Sequence, residues 1–167
     1  PRVPDALMAL SNVPTPKLFM KEFWLFDTKE IQTSNDNDGV VDAGETIDLA
    51  LVIRNQWGKA NSIKVKVEPL AKIEQGGSKL GDQVAYQADP YVTMITDEVS
   101  YDPLGSFNRG DNKLIYDSGG AIIGVKFPFK FKVNSNTPND HFIPFRVTLT
   151  ARNAYDLEDE KLYTTEQ

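Results

Sequence analysis

The sequence contains no cysteine and only one histidine among its 167 residues. Without thiols it can form neither a disulfide nor a thiolate zinc site, and it has no cysteine nucleophile. The single histidine, His141, lies in a polar stretch that we predict to be a solvated loop between strands. No nucleophile motif such as Gly-x-Ser-x-Gly accompanies it. These absences predict a protein that is not an enzyme.

The sequence also has no apolar run of about 18 residues, which is the length that a membrane-spanning helix needs. No segment concentrates lysine and arginine, and the formal net charge is −6. Because nucleic acids and anionic lipid surfaces attract positively charged proteins, neither is an expected partner. We therefore expect no nucleic-acid binding and no membrane insertion.

The length and composition suit one domain with its own core, since 40% of the 167 residues are hydrophobic. We expect residues 18–167 to form this domain and residues 1–17 to be a linker or the end of a preceding domain. A short helix is predicted from Pro4 to Leu10, and Pro14 and Pro16 would end it. Because the sequence starts without an initiator methionine or a signal peptide, we expect it to be part of a longer polypeptide.

Apolar and polar residues alternate with period 2 along much of the sequence, which is typical of half-buried β-strands. Weaker strands are predicted at residues 18–26, 91–96, 114–116 and 121–125. About eight strands separated by polar turns predict an all-β fold in which two antiparallel sheets form a sandwich. The apolar positions of the four clearest runs are Ile47, Leu49, Leu51 and Ile53; Ile63, Val65 and Val67; Phe127, Phe129, Phe131 and Val133; and Phe145, Val147, Leu149 and Ala151.

Two of these runs supply the predicted centre of the core. Phe129, Phe131, Phe145 and Val147 all lie on the apolar side of their runs, so we expect them to pack together between the two sheets. Pro128 is expected at a sheet edge or at the start of a strand, because proline cannot donate a hydrogen bond to a β-ladder.

The segment from Ser34 to Glu45 is rich in acidic residues and can be aligned with a twelve-residue calcium-binding loop. In this alignment Gly39 falls at position six, where the backbone must turn sharply. Calcium prefers oxygen ligands, and no cysteine offers softer metals a competing site. The candidate ligands are the side chains of Asp36, Asp38, Asp42 and Glu45 and the backbone carbonyl of Val40.

Two features of the same segment favour an acidic turn that holds no ion. Position one of the alignment is Ser34, where calcium loops carry aspartate, and strands are predicted on both sides where such loops have helices. Aspartate and asparagine side chains can satisfy turn geometry by bonding to nearby backbone amides. Both interpretations stay open at this point.

Several aromatic residues are candidates for a sugar-stacking surface, which is a common way for β-sandwiches to bind carbohydrate. Trp24 and Tyr91 lie in predicted strands, where packing explains them better. Trp57 lies in the polar turn from Asn55 to Lys59 and is the aromatic that we expect to be exposed.

The run from Asp36 to Glu45, with the later Asn55, Gly58 and Ala60, resembles a pattern that opens many immunoglobulin-like domains of large secreted bacterial proteins. The segments Asp89–Thr93, Pro128–Val133 and Thr137–Thr150 resemble later strands of such domains. The resemblance covers residues 35–151. It departs from the family pattern at Ala43, where proline is usual, and in the longer stretch from Tyr101 to Gly120.

This resemblance implies an immunoglobulin/fibronectin-III-like sandwich that accompanies other domains, such as subtilisin-like or other peptidase domains or parallel β-helices. The expected function is a non-catalytic accessory module, a spacer or docking domain, in a secreted or cell-surface protein. Its expected partners are neighbouring domains of the same polypeptide. The alternative is a module that binds carbohydrate or a cell surface.

Overall fold

The computed structural model describes residues 16–73, 85–153 and 160–166. Within these ranges no residue is helical, and no helix is long and apolar enough to cross a membrane. The predicted helix from Pro4 to Leu10 lies outside the described residues. The strands are β1 (Leu18–Phe26), β2 (Thr46–Asn55), β3 (Ala60–Ile73), β4 (Ala85–Ala88), β5 (Val92–Thr96), β6 (Glu98–Tyr101), β7 (Arg109–Asp111), β8 (Leu114–Tyr116), β9 (Ile122–Val125), β10 (Phe129–Val133), β11 (Phe145–Asn153) and β12 (Glu160–Glu166).

The strands form two five-stranded antiparallel sheets and one hairpin. The first sheet has the order β1-β2-β10-β5, with β7 also paired to β2. The second has the order β12-β11-β3-β4, with β6 also paired to β3. The hairpin consists of β8 and β9. Between β5 and β6 the chain leaves the first sheet and enters the second at Asp97. The prediction of an all-β protein with antiparallel sheets is confirmed.

Residues from both sheets share one apolar core, because the alternating side chains of each sheet point toward the other. Phe129, Phe131 and Val147 are 0%, 1% and 2% exposed. The Phe145 ring packs against the core, and its centroid lies 5.2 Å from the centroid of the Phe131 ring. This confirms the predicted core. Burying such rings removes a large apolar area from water, which is the main favourable term in folding.

One predicted core position is wrong, and it lies at the start of a strand. Phe127 is 49% exposed and precedes β10, which begins at Phe129 immediately after Pro128. Pro128 therefore lies at a strand entry, as its missing N–H predicted. Lys132 is exposed on the outer side of β10, whereas Lys130 is half-buried with its Nζ 2.9 Å from Oδ1 of Asp48.

On the side of β2 that faces away from β1, two strands pair with different parts of β2. The side chain of Asn112 lies between these two strands. β10 pairs with β2 at residues 46–49, and β7 pairs with it at residues 52–54. Between these ladders the Asn112 side chain accepts the Leu51 N–H at 3.0 Å. Its Nδ2 donates to the carbonyls of Leu49 at 3.2 Å and Phe127 at 2.8 Å. A side chain thus replaces the missing strand backbone at this point.

Tyr101 links the two sheets at the same place. It lies in β6 of the second sheet, and its hydroxyl donates to the Leu51 carbonyl of the first sheet at 2.8 Å. Burial raises the pKa of the Tyr101 phenol well above its usual range, and the negative charge of Asp111 adds to the rise. The tyrosine is therefore held neutral and serves as a hydrogen-bond donor.

Candidate functional site

The acidic segment between β1 and β2 folds as a tight turn whose aspartates bond to the loop backbone. Asp36 Oδ1 accepts the Asp38 N–H at 3.1 Å, and Asp38 Oδ1 accepts the Val40 N–H at 2.8 Å. Asn37 and Gly39 have φ angles of 64° and 81°, a left-handed conformation that asparagine and glycine tolerate. The carboxylates of Asp36 and Asp38 are exposed as a result.

Three carboxylates meet at this turn. One oxygen from each of Asp27, Asp36 and Asp38 lies within 4.8 Å of the other two. Ca²⁺ binds oxygen at about 2.3–2.6 Å, so two oxygens on one ion are at most about 5 Å apart. The spacing therefore fits a single calcium ion. Asp27, which is buried and accepts the Gly39 N–H at 3.0 Å, was missed because it lies before the twelve-residue segment.

The other predicted ligands lie outside this group of three. Glu45 is buried, and its two oxygens accept the N–H groups of Asp36 at 3.2 Å and Asp42 at 3.0 Å. It therefore ties the beginning of the loop to its end. Asp42 is exposed, and Val40 is 56% exposed. The structure thus brings two predicted ligands, Asp36 and Asp38, together with Asp27, and calcium binding stays a prediction.

His141 is not the solvated loop residue that the sequence predicted. Its Nε2 lies 2.7 Å from Oδ2 of Asp89, whose side chain is 0% exposed. Its ring meets Tyr91 edge-on with the centroids 4.9 Å apart, and Asp89 Oδ1 accepts the Tyr91 N–H at 2.8 Å. The histidine therefore fastens the loop before β11 to the turn before β5.

Two exposed aromatic side chains lie on turns that share a hydrogen-bond partner. Trp57 is 56% exposed, as predicted, and Phe107 is 60% exposed. Their turns are joined by the buried side chain of Asn55, whose Nδ2 donates to the carbonyls of Gly58 at 2.7 Å and Gly105 at 3.3 Å. Exposed aromatic rings are the kind of side chain on which a sugar can stack. Trp24, which we expected to be packed within its sheet, is 40% exposed.

An apolar groove of about 350 Å³ opens beside β1, at the edge of the two sheets. Its walls include Met20, Phe23 and Leu25 from β1 and Phe142 and Ile143 from the loop before β11. Phe23 and Phe142 are 51% and 79% exposed. An exposed apolar surface of this kind is typical of contacts with another polypeptide.

No protein-family model matches the chain, and no curated protein matches it significantly. Among solved structures, the crystal structure of Spo0M, a sporulation control protein from Bacillus subtilis, is similar over 93% of this chain, with a TM-score of 0.33 and 9% sequence identity. This chain covers 48% of that protein's chain, about half its length. A similarity of this size carries no argument about function.

Proposed function

We propose that the chain is a non-catalytic accessory module with an immunoglobulin/fibronectin-III-like fold. It serves as a spacer or docking domain in a larger secreted or cell-surface bacterial protein, such as a peptidase, and its partners are neighbouring domains of the same polypeptide. The proposal rests on buried polar side chains that form hydrogen bonds to the backbone. The following residues each accept at least one backbone N–H: Asp27, Asn35, Glu45, Asn55, Asp89 and Asn112.

Asn35 and Asn55 illustrate this use. Asn35 accepts the Thr46 N–H at 3.2 Å and donates to the Thr46 carbonyl at 2.7 Å. Asn55 accepts the N–H groups of Lys17 at 3.1 Å and Trp57 at 3.2 Å. Bonds of this kind satisfy buried backbone groups that would be costly to leave unpaired. They make the connections between strands rigid, which is what a spacer between domains requires.

Calcium binding belongs to this proposal as a stabilising feature. The turn at Asp36 and Asp38, together with Asp27, would hold Ca²⁺ through hard carboxylate oxygens. Three carboxylates placed close together repel one another, and a bound cation removes that repulsion. Extracellular modules need only weak affinity, with dissociation constants of about 10⁻⁴–10⁻³ M.

Assays of hydrolysis test the non-catalytic part of the proposal. The purified chain should show no turnover of casein, p-nitrophenyl esters or common polysaccharides. His141→Ala and the surface change Lys132→Ala provide the matched pair of variants. Turnover that copurifies with the protein, persists in Lys132→Ala and disappears on mutating His141 or any acidic pair would refute the proposal.

Amide hydrogen exchange tests the rigidity. The N–H groups of Thr46 and Leu51, which bond to buried asparagine side chains, should exchange only when the whole domain unfolds. If the exchange rates of both amides did not change when the free energy of global unfolding is lowered with denaturant, these connections would open locally. A rigid spacer does not open in this way.

A second candidate function is carbohydrate binding, and the exposed pair of Trp57 and Phe107 favours it. The test is a titration with oligosaccharides of glucose, xylose and N-acetylglucosamine, followed by tryptophan fluorescence. The chain has two tryptophans, so Trp24→Phe leaves Trp57 as the reporter, and Trp57→Phe is its matched control. A saturable change in Trp24→Phe that is absent in Trp57→Phe supports this function, and an unchanged signal with every sugar contradicts it.

A further inference from the structure

β1 is a long edge strand with an apolar surface. Its nine residues pair with β2 on one side, and no other described strand pairs with its far side. Three consecutive large side chains, Phe23, Trp24 and Leu25, are 51%, 40% and 36% exposed. Proteins normally protect such edges with proline, charge or a covering segment, because the free N–H and C=O groups attract another strand. β1 itself carries two charges, Lys21 and Glu22, and a bulge beside them, so only a strand that matches both the charges and the bulge can add to this edge.

A β-bulge in the middle of β1 changes which residues face the core. Met20 is opposite Ile53 and Glu22 is opposite Val52, so Lys21 has no partner on β2. A bulge of this kind adds one residue to one strand and shifts the alternation of side chains. The side chains that point inward are consequently Leu18 and Met20 before the bulge and Phe23 and Leu25 after it.

The sequence of β1 is nearly symmetric about the point between Lys21 and Glu22. Residues at equal distances on either side of that point are a lysine with a glutamate, and otherwise two apolar residues. The matched pairs are Lys21 with Glu22, Met20 with Phe23, Phe19 with Trp24, and Leu18 with Leu25. Because the bulge lies at the centre, each matched apolar pair also points to the same side of the sheet.

We propose that β1 pairs with β1 of a second copy of the chain in an antiparallel, two-fold symmetric arrangement. Leu18 then faces Leu25 of the second copy, and Met20 faces Phe23 of the second copy. Each strand contributes two residues between Met20 and Phe23, so the two bulges face each other and the pairing continues without a gap. A two-fold contact of this kind uses the same surface on both copies.

The charges of Lys21 and Glu22 favour a second copy of the chain as the partner of β1. Lys21 and Glu22 are exposed, and neither forms an ion pair with another described residue. In the symmetric arrangement the Lys21 ammonium meets the Glu22 carboxylate of the second copy, and the symmetry repeats this contact. Opposite charges that face each other across two strands stabilise the pairing, and like charges oppose it. The first sheets of the two copies then form one continuous sheet.

The pairing also covers apolar surface that a single copy exposes. Met20, Phe23 and Leu25 line the groove beside β1, and the inward side chains of the second β1 lie next to them. Since edge pairing buries less surface than a permanent dimer interface, we expect association that depends on protein concentration.

Sedimentation velocity over a concentration series measures the association, and charge reversal tests its cause. The unmodified chain should shift from monomer to dimer as its concentration rises from low micromolar toward millimolar. Lys21→Glu and Glu22→Lys should each weaken the dimer at least about tenfold, because like charges then face each other. The double variant, in which the two charges are exchanged, should restore it. Lys29→Glu, at an exposed position outside β1, is the control for net charge.

Cysteine cross-linking tests the register, and the absence of native cysteine makes the result unambiguous. Residues directly opposite each other on antiparallel strands have Cα atoms about 4.5–5.5 Å apart, which suits a disulfide. A mixture of Phe19→Cys and Trp24→Cys chains should therefore form a mixed disulfide under mild oxidation. Phe19→Cys alone should not, because its two copies would be about 14 Å apart along the strands, the length of the four β2 residues that separate the partners of Phe19 and Trp24.

Three results would overturn the proposal. The first is a chain that stays monomeric at every concentration, which means that the β1 edge is covered by other residues of the same chain or is open. The second is a dimer that both charge reversals leave intact, because the interface then lies elsewhere. The third is cross-linking of Phe19→Cys with itself as efficient as in the mixture, which would show a different register.

Discussion

Replacing Asn112 with alanine is expected to destabilise the protein strongly, because this side chain bridges the gap between β7 and β10. Asn112 is 2% exposed and forms three hydrogen bonds, all to backbone groups: the Leu51 N–H and the carbonyls of Leu49 and Phe127. Alanine forms none of them. A buried polar group that loses its partner costs about 1–3 kcal/mol, and two of the three bonds, those to Leu51 and Leu49, are buried, so the expected loss is about 2–6 kcal/mol.

Urea unfolding followed by circular dichroism measures this loss as a change in the free energy of unfolding. A typical domain has about 5–15 kcal/mol of stability, so the variant should fold but unfold at much lower urea concentration. In a thermal scan, each kcal/mol lowers the melting temperature by about 2–4 °C in a domain of this size.

Asn134→Ala is the matched control, because its Nδ2 makes one exposed bond at 3.2 Å to the Pro90 carbonyl. This variant should stay within about 0.5 kcal/mol of the unmodified protein. If Asn112→Ala lost no more stability than Asn134→Ala, the side chain would not be needed to complete the ladder, and the argument would be wrong.

Three further predictions follow from the core, the sheet contact and the acidic turn. Phe131→Ala should lose about 3–5 kcal/mol of unfolding free energy because it empties the centre of the core, whereas Lys132→Ala should lose less than about 0.5 kcal/mol; equal losses in urea unfolding would contradict the strand register. Burial raises the pKa of the Tyr101 phenol, so as the pH rises above about 10 the unfolded chain releases the phenol proton before the folded protein does. The free energy of unfolding should therefore decrease above that pH. Tyr101→Phe should show a smaller decrease in melting curves recorded over a series of pH values. Millimolar Ca²⁺ should raise the melting temperature, with about 2.7 kcal/mol gained at 100 times the dissociation constant, and chelator should reverse the gain; an Asp38→Ala variant that responds like the unmodified protein would argue against this site.

The strands with clear alternation could be read from the sequence. Ile63, Val65 and Val67 alternate with polar residues and are buried at 1%, 0% and 0% exposure. Alternation is a local property, because a strand with one buried face needs apolar residues at every second position. The same property explains why β4, which pairs with β3, was not predicted, and why β6, β7 and β12 were not predicted either. They are short or polar, and their pairing with β3, β2 and β11 defines them.

The candidate metal site was predicted in part. Asp36 and Asp38 could be identified, since their spacing just before Gly39 is a local pattern. Asp27 could not, because it joins them only when the end of β1 comes beside the turn. Glu45 matched the pattern, yet in the folded chain both of its oxygens hold backbone amides.

The sequence by itself determined the all-β class, the main core residues and the acidic turn, because each depends on residue types at short spacing. Only the tertiary structure decided which distant groups meet. His141 contacts Asp89 across 52 positions, and Asn112 contacts Leu49 across 63. Such contacts depend on the order of strands in the sheets, which short-range patterns do not encode. For the same reason the sequence of β1 does not by itself show that β1 is an edge strand with a bulge at its centre.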